Sequence, residues 1–234
     1  VSNAALVGGG SNPQPGEISL AHNGVLFLDE LPEFKRDVLE VMRQPMEERK
    51  VNISRTRFSI DYPANFMLVA SMNPCPCGYY NHPEKDCVSA PGVVHKYLNK
   101  ISGPLLDRID LHVEVTPVKL EDLSSKIAAE KSEAIRQRVI AARLIQEQRF
   151  MNDEIHCNAQ MGTKQTMKNC VLDNESQQLL NTAMKRLGLS ARAYERIIRV
   201  ARTIADLDTC ESINVTHLAE AIQFRSLDRE SWAA

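Results

Sequence analysis

The chain has few aromatic residues and almost no net charge. Phe, Trp and Tyr make up 5% of its 234 residues, and the formal net charge is −2. The scarcity of aromatic side chains argues against aromatic stacking platforms for single-stranded nucleic acid. The nearly neutral balance gives no overall basic field that would draw the chain to DNA or to a membrane, so any such contact must come from a local patch.

Long apolar runs and an export signal are also missing. No stretch approaches the roughly 20 apolar residues that a membrane-crossing helix needs, and the first residues lack a basic segment followed by an apolar one. These absences predict a cytoplasmic protein without a membrane partner. The chain starts without methionine and runs directly into a glycine-rich loop, which we interpret as the cut edge of a longer protein.

Short apolar runs in the first half of the chain predict buried strands. They cover Val25–Leu28, Phe66–Ala70 and Leu111–Val115. Continuous apolar runs are typical of a parallel sheet that is covered by helices on both faces. Between the first two runs, residues 51–54 and 58–61 alternate around a polar tip and predict a β-hairpin.

The second half of the chain changes to a helical period. Apolar residues recur at helical spacing from 120 to 145 and again from 179 to 222, which predicts amphipathic helices. The polar segment 151–172 has no clear period and predicts a linker or mobile loop. The expected architecture is an α/β core over 1–118, a linker helix and mobile loop over 119–172, and a helical domain over 173–234.

A pair of acids follows the first predicted strand. Asp29 and Glu30 come directly after Val25–Leu28, where an α/β sheet presents its ligand-binding edge. This is the arrangement of a Walker B motif, in which the first acid holds Mg²⁺ against nucleotide phosphates and the second orients or deprotonates the attacking water. The alternative is a strand that ends in a solvated acidic turn.

Two more side chains fit a nucleotide site. Asn73 ends the next predicted strand, where its amide can donate to a γ-phosphate or position the water; an Asn before Pro74 is otherwise a turn residue. Arg108 lies between Asp107 and Asp110. It is either part of an ordinary surface ion pair or an arginine finger, whose planar fork stabilises a transferring phosphate.

Several motifs together resemble a known family. They are PGEISLAHNG and VLFLDELPEF over 15–34, SMNPCPCG over 71–78, ISGPLLDRIDL over 101–111, and SARAYER over 190–196. In this order they resemble the magnesium-chelatase-like AAA+ ATPases of bacteria and, within them, the ComM/YifB family. The resemblance implies an AAA+ core of the P-loop NTPase type with inserted β-hairpins, then a helical lid, in a hexameric ring that uses ATP and Mg²⁺.

The resemblance also implies a role for each candidate residue of the core. Asp29 and Glu30 would be the Walker B acids, and Asn73 would be sensor 1. Arg108 would be the finger that reaches the ATP of the neighbouring subunit.

On the lid, the resemblance makes Arg192 the sensor 2 residue that contacts the γ-phosphate. Arg196, one turn later, is a weaker candidate for the same role. From the residues alone, Arg192 is a solvent-facing charge at a helix start.

Two loops would line the central pore of the ring, according to the same resemblance. One is the glycine-rich loop 8–13 and the other is the hairpin around Arg55. Lys50, Arg55 and Arg57 would then contact the phosphates of an enclosed DNA strand. The alternative is a solvated basic face of the hairpin.

One motif of the family is absent. No G-x-x-x-x-G-K-[ST] sequence occurs before Asp29, and the glycine-rich residues 8–11 include no lysine. Without that backbone cradle and its lysine, the β- and γ-phosphates have no binding site. The resemblance therefore implies that the full-length protein hydrolyses ATP, whereas this chain alone does not.

Three of the six cysteines are close in sequence, at Cys75, Cys77 and Cys87. Without an export signal, metal binding or burial is expected rather than a disulfide. Three thiolates and a fourth ligand suit tetrahedral Zn²⁺, which would brace the loop after Asn73. Many members of the family carry a second Cys-x-Cys here, whereas this chain has Ser89 in place of the fourth thiol. The candidates for the fourth ligand are His82, His95, Asp86 and water. The alternative is a loop of reduced thiols.

Three functions remain open from the sequence. The first is a DNA motor, which the resemblance specifies as branch migration in recombination of incoming DNA. The second is a chelatase-type ATPase that remodels a protein partner for metal insertion, and the third is a non-catalytic assembly or binding module. Arg55 and Arg57 at the hairpin tip favour DNA, because a protein partner would fit a neutral or acidic tip better.

Overall fold

The computed structural model describes residues 2–10, 12–55, 58–80, 82–115, 117 and 130–225, without the side chains of Arg55 and Phe58. These residues form two compact units, one ending at Ile109 and the other beginning at Asp110. The first unit mixes strands and helices and the second is helical, which confirms the predicted order of an α/β portion and an all-helical portion. No helix within the described ranges is long and apolar enough to cross a bilayer.

The first unit is built from short elements. Its strands are β1 (Gly8–Gly9), β2 (Gln14–Pro15), β3 (Val25–Leu28), β4 (Lys50–Arg55), β5 (Phe58–Pro63) and β6 (Met67–Ala70). Its helices are α1 (Asn3–Val7), α2 (Glu17–Leu20), α3 (Arg36–Glu40), α4 (Arg43–Glu48), α5 (Pro91–Leu98) and α6 (Gly103–Leu106), and a 3₁₀ turn covers Leu31–Glu33.

Strands β3 and β6 form a parallel pair, as the first two apolar runs predict. Val25 lies opposite Met67 and Leu28 opposite Ala70, so both strands end at the same edge. Burial on both faces was also expected, and this is wrong for the described residues. Leu26 and Leu28 are buried, whereas Val25 and Phe27 are 54% and 59% exposed, because no other element of the described ranges covers that face.

The third predicted strand does not form. Residues 111–115 have no strand assignment, and Leu111, Val113 and Val115 are exposed. The backbone N–H of His112 instead donates to the carbonyl of Phe224 at 2.8 Å. An apolar run becomes a strand only where a neighbouring strand pairs with its backbone groups.

The predicted hairpin is present and lies beside the glycine-rich loop. β4 and β5 pair antiparallel from Lys50 opposite Pro63 to Arg55 opposite Phe58. The Tyr62 hydroxyl donates to the Pro13 carbonyl at 3.0 Å, which ties β5 to the loop between β1 and β2. Gly8 has φ +102°, and a Cβ there would lie 2.3 Å from the Gln14 carbonyl oxygen, so this close approach requires glycine.

The described part of the second unit contains helices α7 (Ser132–Arg149), α8 (Thr163–Asn169), α9 (Asn174–Leu187), α10 (Ala191–Leu207) and α11 (Val215–Gln223), with a 3₁₀ turn at Asn158–Gln160. Its core is formed by apolar side chains from α9, α10 and α11 and from the segments between the helices. The side chain of Asp173 accepts from the Ser176 N–H at 2.8 Å and caps α9, and Gly188 ends that helix at φ +60°.

Residues 151–172 are more structured than the predicted linker or mobile loop. They contain α8, and the side chains of Met161 and Cys170 are buried in the same core as Leu180 and Ile197. Two apolar residues nine positions apart give no sequence period. Tertiary packing, rather than a local pattern, therefore orders this segment.

A buried carboxylate joins three segments of the second unit. Asp206 is fully buried and accepts from both terminal nitrogens of Arg149 at 2.7 and 2.5 Å. It also accepts from Arg202 Nε at 3.1 Å and from Asn158 Nδ2 at 2.7 Å. Arg202 donates further to the carbonyl of Cys210 at 2.5 Å. The sequence offers only the i,i+4 spacing of Arg202 and Asp206 as a signal for this network.

Replacing Asp206 with Ala should lower the free energy of unfolding of the helical unit by about 3–5 kcal/mol. The reason is that Arg202, which is 3% exposed, would stay buried without its carboxylate. Urea unfolding followed by far-UV circular dichroism measures the change. The control is Asp153→Ala, because Asp153 is exposed and the loss of an exposed carboxylate should cost about 1 kcal/mol or less. An equal decrease in the free energy of unfolding in the two variants would show that the buried network stabilises the unit no more than an exposed carboxylate does.

Candidate nucleotide and metal sites

The predicted Walker B acids lie at the carboxyl edge of the parallel pair. Asp29 and Glu30 follow β3 and are exposed, and Ser71 follows β6 at the neighbouring position. The Ser71 hydroxyl donates a short hydrogen bond to Asp29 Oδ1, and the same oxygen accepts from the Glu30 N–H at 3.0 Å. The Asp29 carboxylate is thus oriented by the next strand, as a rigid metal ligand requires.

The backbone of Glu30 adopts an uncommon conformation. Its φ and ψ are both 51°, in the left-handed region, which costs a residue with a side chain about 1–3 kcal/mol. The turn is fixed from outside, because the Leu31 N–H donates to the Ser71 carbonyl at 2.9 Å. Such strain is concentrated at functional sites. The arrangement presents two carboxylates to solvent at one edge, which suits binding of Mg²⁺ and activation of a water molecule.

Two more residues belong to the surroundings of this acid turn. Asn73 follows Ser71 by two residues and is exposed. Tyr97 of α5 is buried, and burial, followed by the charges of Glu33 and Glu30, raises the pKa of its hydroxyl. Sequence reasoning identified Asn73 but not Tyr97 or Ser71, since their positions near the acid turn depend on contacts between segments that are distant in the sequence.

Arg108 is held by its own chain. Its side chain is 6% exposed, and Nε and Nη2 donate to Glu47 Oε2 at 3.1 and 2.5 Å. Nη1 donates to the Pro104 carbonyl at 2.7 Å. Contact with a neighbouring subunit's nucleotide therefore requires that this guanidinium leave Glu47 or be shared with it.

The two arginines of the predicted lid lie near the start of α10, in the second unit, whereas the acid turn lies in the first. Ser190 caps this helix, since its hydroxyl oxygen accepts from the Ala193 N–H at 3.2 Å. Arg192 is the second residue of the helix and is exposed. Arg196 is partly buried and forms an ion pair with Asp110. The predicted sensor 2 residue thus lies at the exposed helix start, and the weaker candidate is engaged in a salt bridge.

The basic residues of the hairpin are only partly described. Lys50 Nζ lies 2.9 Å from Asp61 Oδ2, and this hydrogen bond raises the pKa of Lys50. Arg55 pairs through its backbone with Phe58 at the end of the ladder. Arg57 lies outside the described residues. At the base of the hairpin, the charge of Lys50 is therefore balanced by Asp61. The assignment of DNA-binding arginines to the tip stays a prediction.

The three neighbouring cysteines converge in the segment that follows Asn73. The Sγ–Sγ distances are 3.3 Å for Cys75–Cys77, 3.7 Å for Cys75–Cys87 and 3.5 Å for Cys77–Cys87. We call these residues the cysteine cluster. Cys75 is buried, and its sulfur accepts from the Tyr80 N–H at 3.3 Å. The spacing in sequence predicted this proximity.

Hydrogen bonds favour the thiolate form at one of these cysteines. The Ser89 side chain, followed by the Tyr79 backbone, lowers the pKa of Cys77 to about 5. Burial raises the pKa of Cys87. A thiolate is the form that binds a metal. Within the described ranges, no histidine or carboxylate joins the three sulfurs in a group whose ligand atoms all lie within 4.8 Å of one another.

Comparison with known proteins identifies the family. The model of "Magnesium chelatase, subunit ChlI" matches residues 1–123. The chain belongs to this family. The model of its C-terminal part, "Magnesium chelatase, subunit ChlI C-terminal", matches residues 129–225, so the family extends through the helical unit.

Individual relatives place the chain within the ComM/YifB branch of the magnesium chelatase family. It is 46% identical to the protein YifB of Escherichia coli K12, over 96% of this chain and 44% of the relative. It is also 46% identical to competence protein ComM of Haemophilus influenzae, over 96% of this chain and 43% of the relative. Magnesium-chelatase subunit ChlI of Cyanophora paradoxa is 26% identical over 64% of this chain and 40% of the relative. The chain thus spans less than half the length of these curated relatives.

Proposed function

We propose that this chain is the Walker-B-to-lid part of a ring-forming AAA+ ATPase that uses ATP and Mg²⁺ to remodel DNA by branch migration. The observation that carries the proposal is the acid turn. Asp29 and Glu30 are exposed at the carboxyl edge of the parallel pair β3–β6. Ser71, which directly follows β6, is hydrogen-bonded to Asp29. The similarity to a competence protein supports a role in recombination of incoming DNA.

In this proposal the acid turn performs two tasks. Asp29, whose Oδ1 accepts from Ser71, would hold Mg²⁺, and Glu30 would act as the base for the attacking water, which Asn73 would position. Arg108 and Arg192 neutralise charge on the phosphates, the first from a neighbouring subunit of a hexameric ring. The phosphate cradle comes from a Walker A segment that this chain does not contain, so the chain alone does not hydrolyse ATP.

The DNA contact in this proposal is made by the hairpin β4–β5. The hydrogen bond between Tyr62 and Pro13 ties the base of the hairpin to the glycine-rich loop. In this proposal Arg55 and Arg57 bind the phosphates of an enclosed strand. A second candidate function is remodelling of a protein partner, which is favoured by the neutral base of the hairpin, where Lys50 is paired with Asp61.

The double variant Arg55→Ala/Arg57→Ala distinguishes these two functions. In a protein that joins this chain to a Walker A segment, we expect branch migration to fall by about tenfold or more. A plot of the logarithm of the DNA-binding constant against the logarithm of the salt concentration should lose about two units of slope, because two phosphate contacts are lost. Both are measured with labelled four-way junctions at several salt concentrations.

The control for the hairpin tip is Lys50→Ala. Lys50 already has a carboxylate partner at 2.9 Å, so its loss should change DNA affinity much less than loss of the tip arginines. Unchanged DNA binding and branch migration in the double variant would reject the DNA proposal and favour the protein partner.

Zinc is a further part of the proposal. We propose that Cys75, Cys77 and Cys87 hold one Zn²⁺, which braces the segment that follows Asn73. The support is the approach of three sulfurs to within 3.7 Å of one another in a chain with no other described group of this kind.

A further inference from the structure

We infer that Ser89 stands at the fourth corner of the cysteine cluster, so that zinc bound there has three thiolates and one exchangeable ligand instead of a closed four-thiolate shell. This inference rests on the proposed zinc site. It is independent of the proposed ATPase and DNA activities.

The three sulfurs already form one face of a tetrahedron. Ligands at a Zn–S distance of about 2.3 Å in a tetrahedral shell lie about 3.8 Å apart. The observed Sγ–Sγ distances of 3.3, 3.7 and 3.5 Å are slightly shorter than this. The hydrogen bond from the Tyr80 N–H to Cys75 at 3.3 Å orients one sulfur from outside, as is usual for metal ligands. A tetrahedral zinc ion bound to these three sulfurs needs one more ligand, at the fourth corner.

Ser89 lies beside the cysteine cluster. Its backbone carbonyl oxygen accepts from Cys87 Sγ at 3.8 Å, and its side chain is close enough to Cys77 to lower the pKa of that thiol. It follows Cys87 by two residues, the same spacing that brings Cys75 and Cys77 to one point. The residue between, Val88, is 83% exposed. The chain therefore turns the side chain of Ser89, and not that of Val88, towards the cysteine cluster.

The other candidates for the fourth ligand are placed differently. Nδ1 of His82 accepts the backbone N–H groups of Glu84 and Lys85 at 3.0 and 3.1 Å, so this ring caps a turn. Neither His95 nor Asp86 joins the cysteine cluster among the residues that the structure describes.

A serine at the fourth corner leaves a position that exchanges ligands. The protein ligands of structural zinc sites are thiolate, imidazole and carboxylate, and a neutral hydroxyl is none of these. Ser89 can hold a water molecule at the corner or bind weakly itself. Small chelators can then reach the metal there, whereas a fourth thiolate would exclude them.

Cobalt substitution of the purified chain under reducing conditions tests this assignment, with Ser89→Cys as the test variant and Val88→Cys as the matched control. Both variants add one thiol to the same loop, one residue apart. We expect Ser89→Cys to raise the thiolate-to-cobalt charge-transfer band by about a third, from three sulfurs to four. It should also slow removal of zinc by a chelator by about tenfold or more. Val88→Cys should match the wild type in both measurements.

Two results would overturn the inference. Equal behaviour of Ser89→Cys and Val88→Cys would show that Ser89 does not lie at the fourth corner. A wild-type chain that binds neither Co²⁺ nor Zn²⁺ would overturn the three-thiolate site itself, whatever Ser89→Cys binds. The second result leaves the ATPase and DNA proposals standing, because these are measured by phosphate release and branch migration.

Discussion

Replacing Glu30 with Gln in a protein that joins this chain to a Walker A segment should lower ATP turnover by at least about 100-fold while nucleotide still binds. Gln keeps the size and polarity of the side chain but cannot take a proton from water, and a general base contributes about 10²–10⁴-fold. The exchange also keeps the left-handed backbone at residue 30, so it tests the carboxylate alone. Phosphate release at saturating ATP measures turnover, and a fluorescent ATP analogue measures binding.

The control for this variant is Glu33→Gln. Glu33 is an exposed acid of the same turn, and its carboxylate lies 3.7 Å from Lys100 Nζ. If general-base chemistry belongs to residue 30, the Glu33 variant should keep turnover within about twofold, since an exposed ion pair contributes little. Normal turnover in Glu30→Gln would reject Glu30 as the base.

Replacing Arg108 with Ala should lower turnover in the same protein by about 10³-fold, the lower limit for an arginine finger. Because the finger serves the neighbouring site, mixing this variant with Glu30→Gln subunits should restore part of the activity. In such a mixed ring, some sites receive Glu30 from one subunit and Arg108 from the other. The measurement is phosphate release as a function of the mixing ratio.

The burial of Arg108 makes a second control necessary. Arg108→Ala also removes the hydrogen bonds to Glu47 and to the Pro104 carbonyl, so a local change of fold is a second route to lower turnover. Glu47→Gln weakens the same contact and keeps the arginine. Retained turnover in Glu47→Gln, together with rescue in mixed rings, supports the finger. Loss in Glu47→Gln with no rescue would assign Arg108 a structural role.

Local patterns were sufficient to predict the elements whose signals lie close together in the sequence. The acid turn follows four apolar residues, and the hairpin β4–β5 has alternating segments around a polar tip. The convergence of Cys75, Cys77 and Cys87 was predictable for the same reason, because all three lie within 13 residues. In these cases the contacts form between near neighbours along the chain.

Contacts between distant segments were not predictable. Ser71 contacts Asp29 across 42 positions and Arg108 contacts Glu47 across 61. Contacts at such separations produce no periodic pattern in the sequence. The apolar run at 111–115 is the opposite case. Its sequence predicts a strand, but no described strand pairs with its backbone. The buried position of Asp206 was not predictable, because the sequence does not distinguish a buried carboxylate from a solvated one.

Among the residues that the structure describes, one side of the β3–β6 pair is uncovered, and we expect the association of this chain to depend on its concentration. Val25, Phe27, Met67 and Val69 are 54%, 59%, 60% and 39% exposed, and every 100 Å² of such surface removed from water releases about 2.5 kcal/mol. A short parallel pair with an apolar side and open edges is a template for association. In dilute solution the pair stays in contact with water, whereas in concentrated samples another molecule of the same chain becomes the nearest available cover.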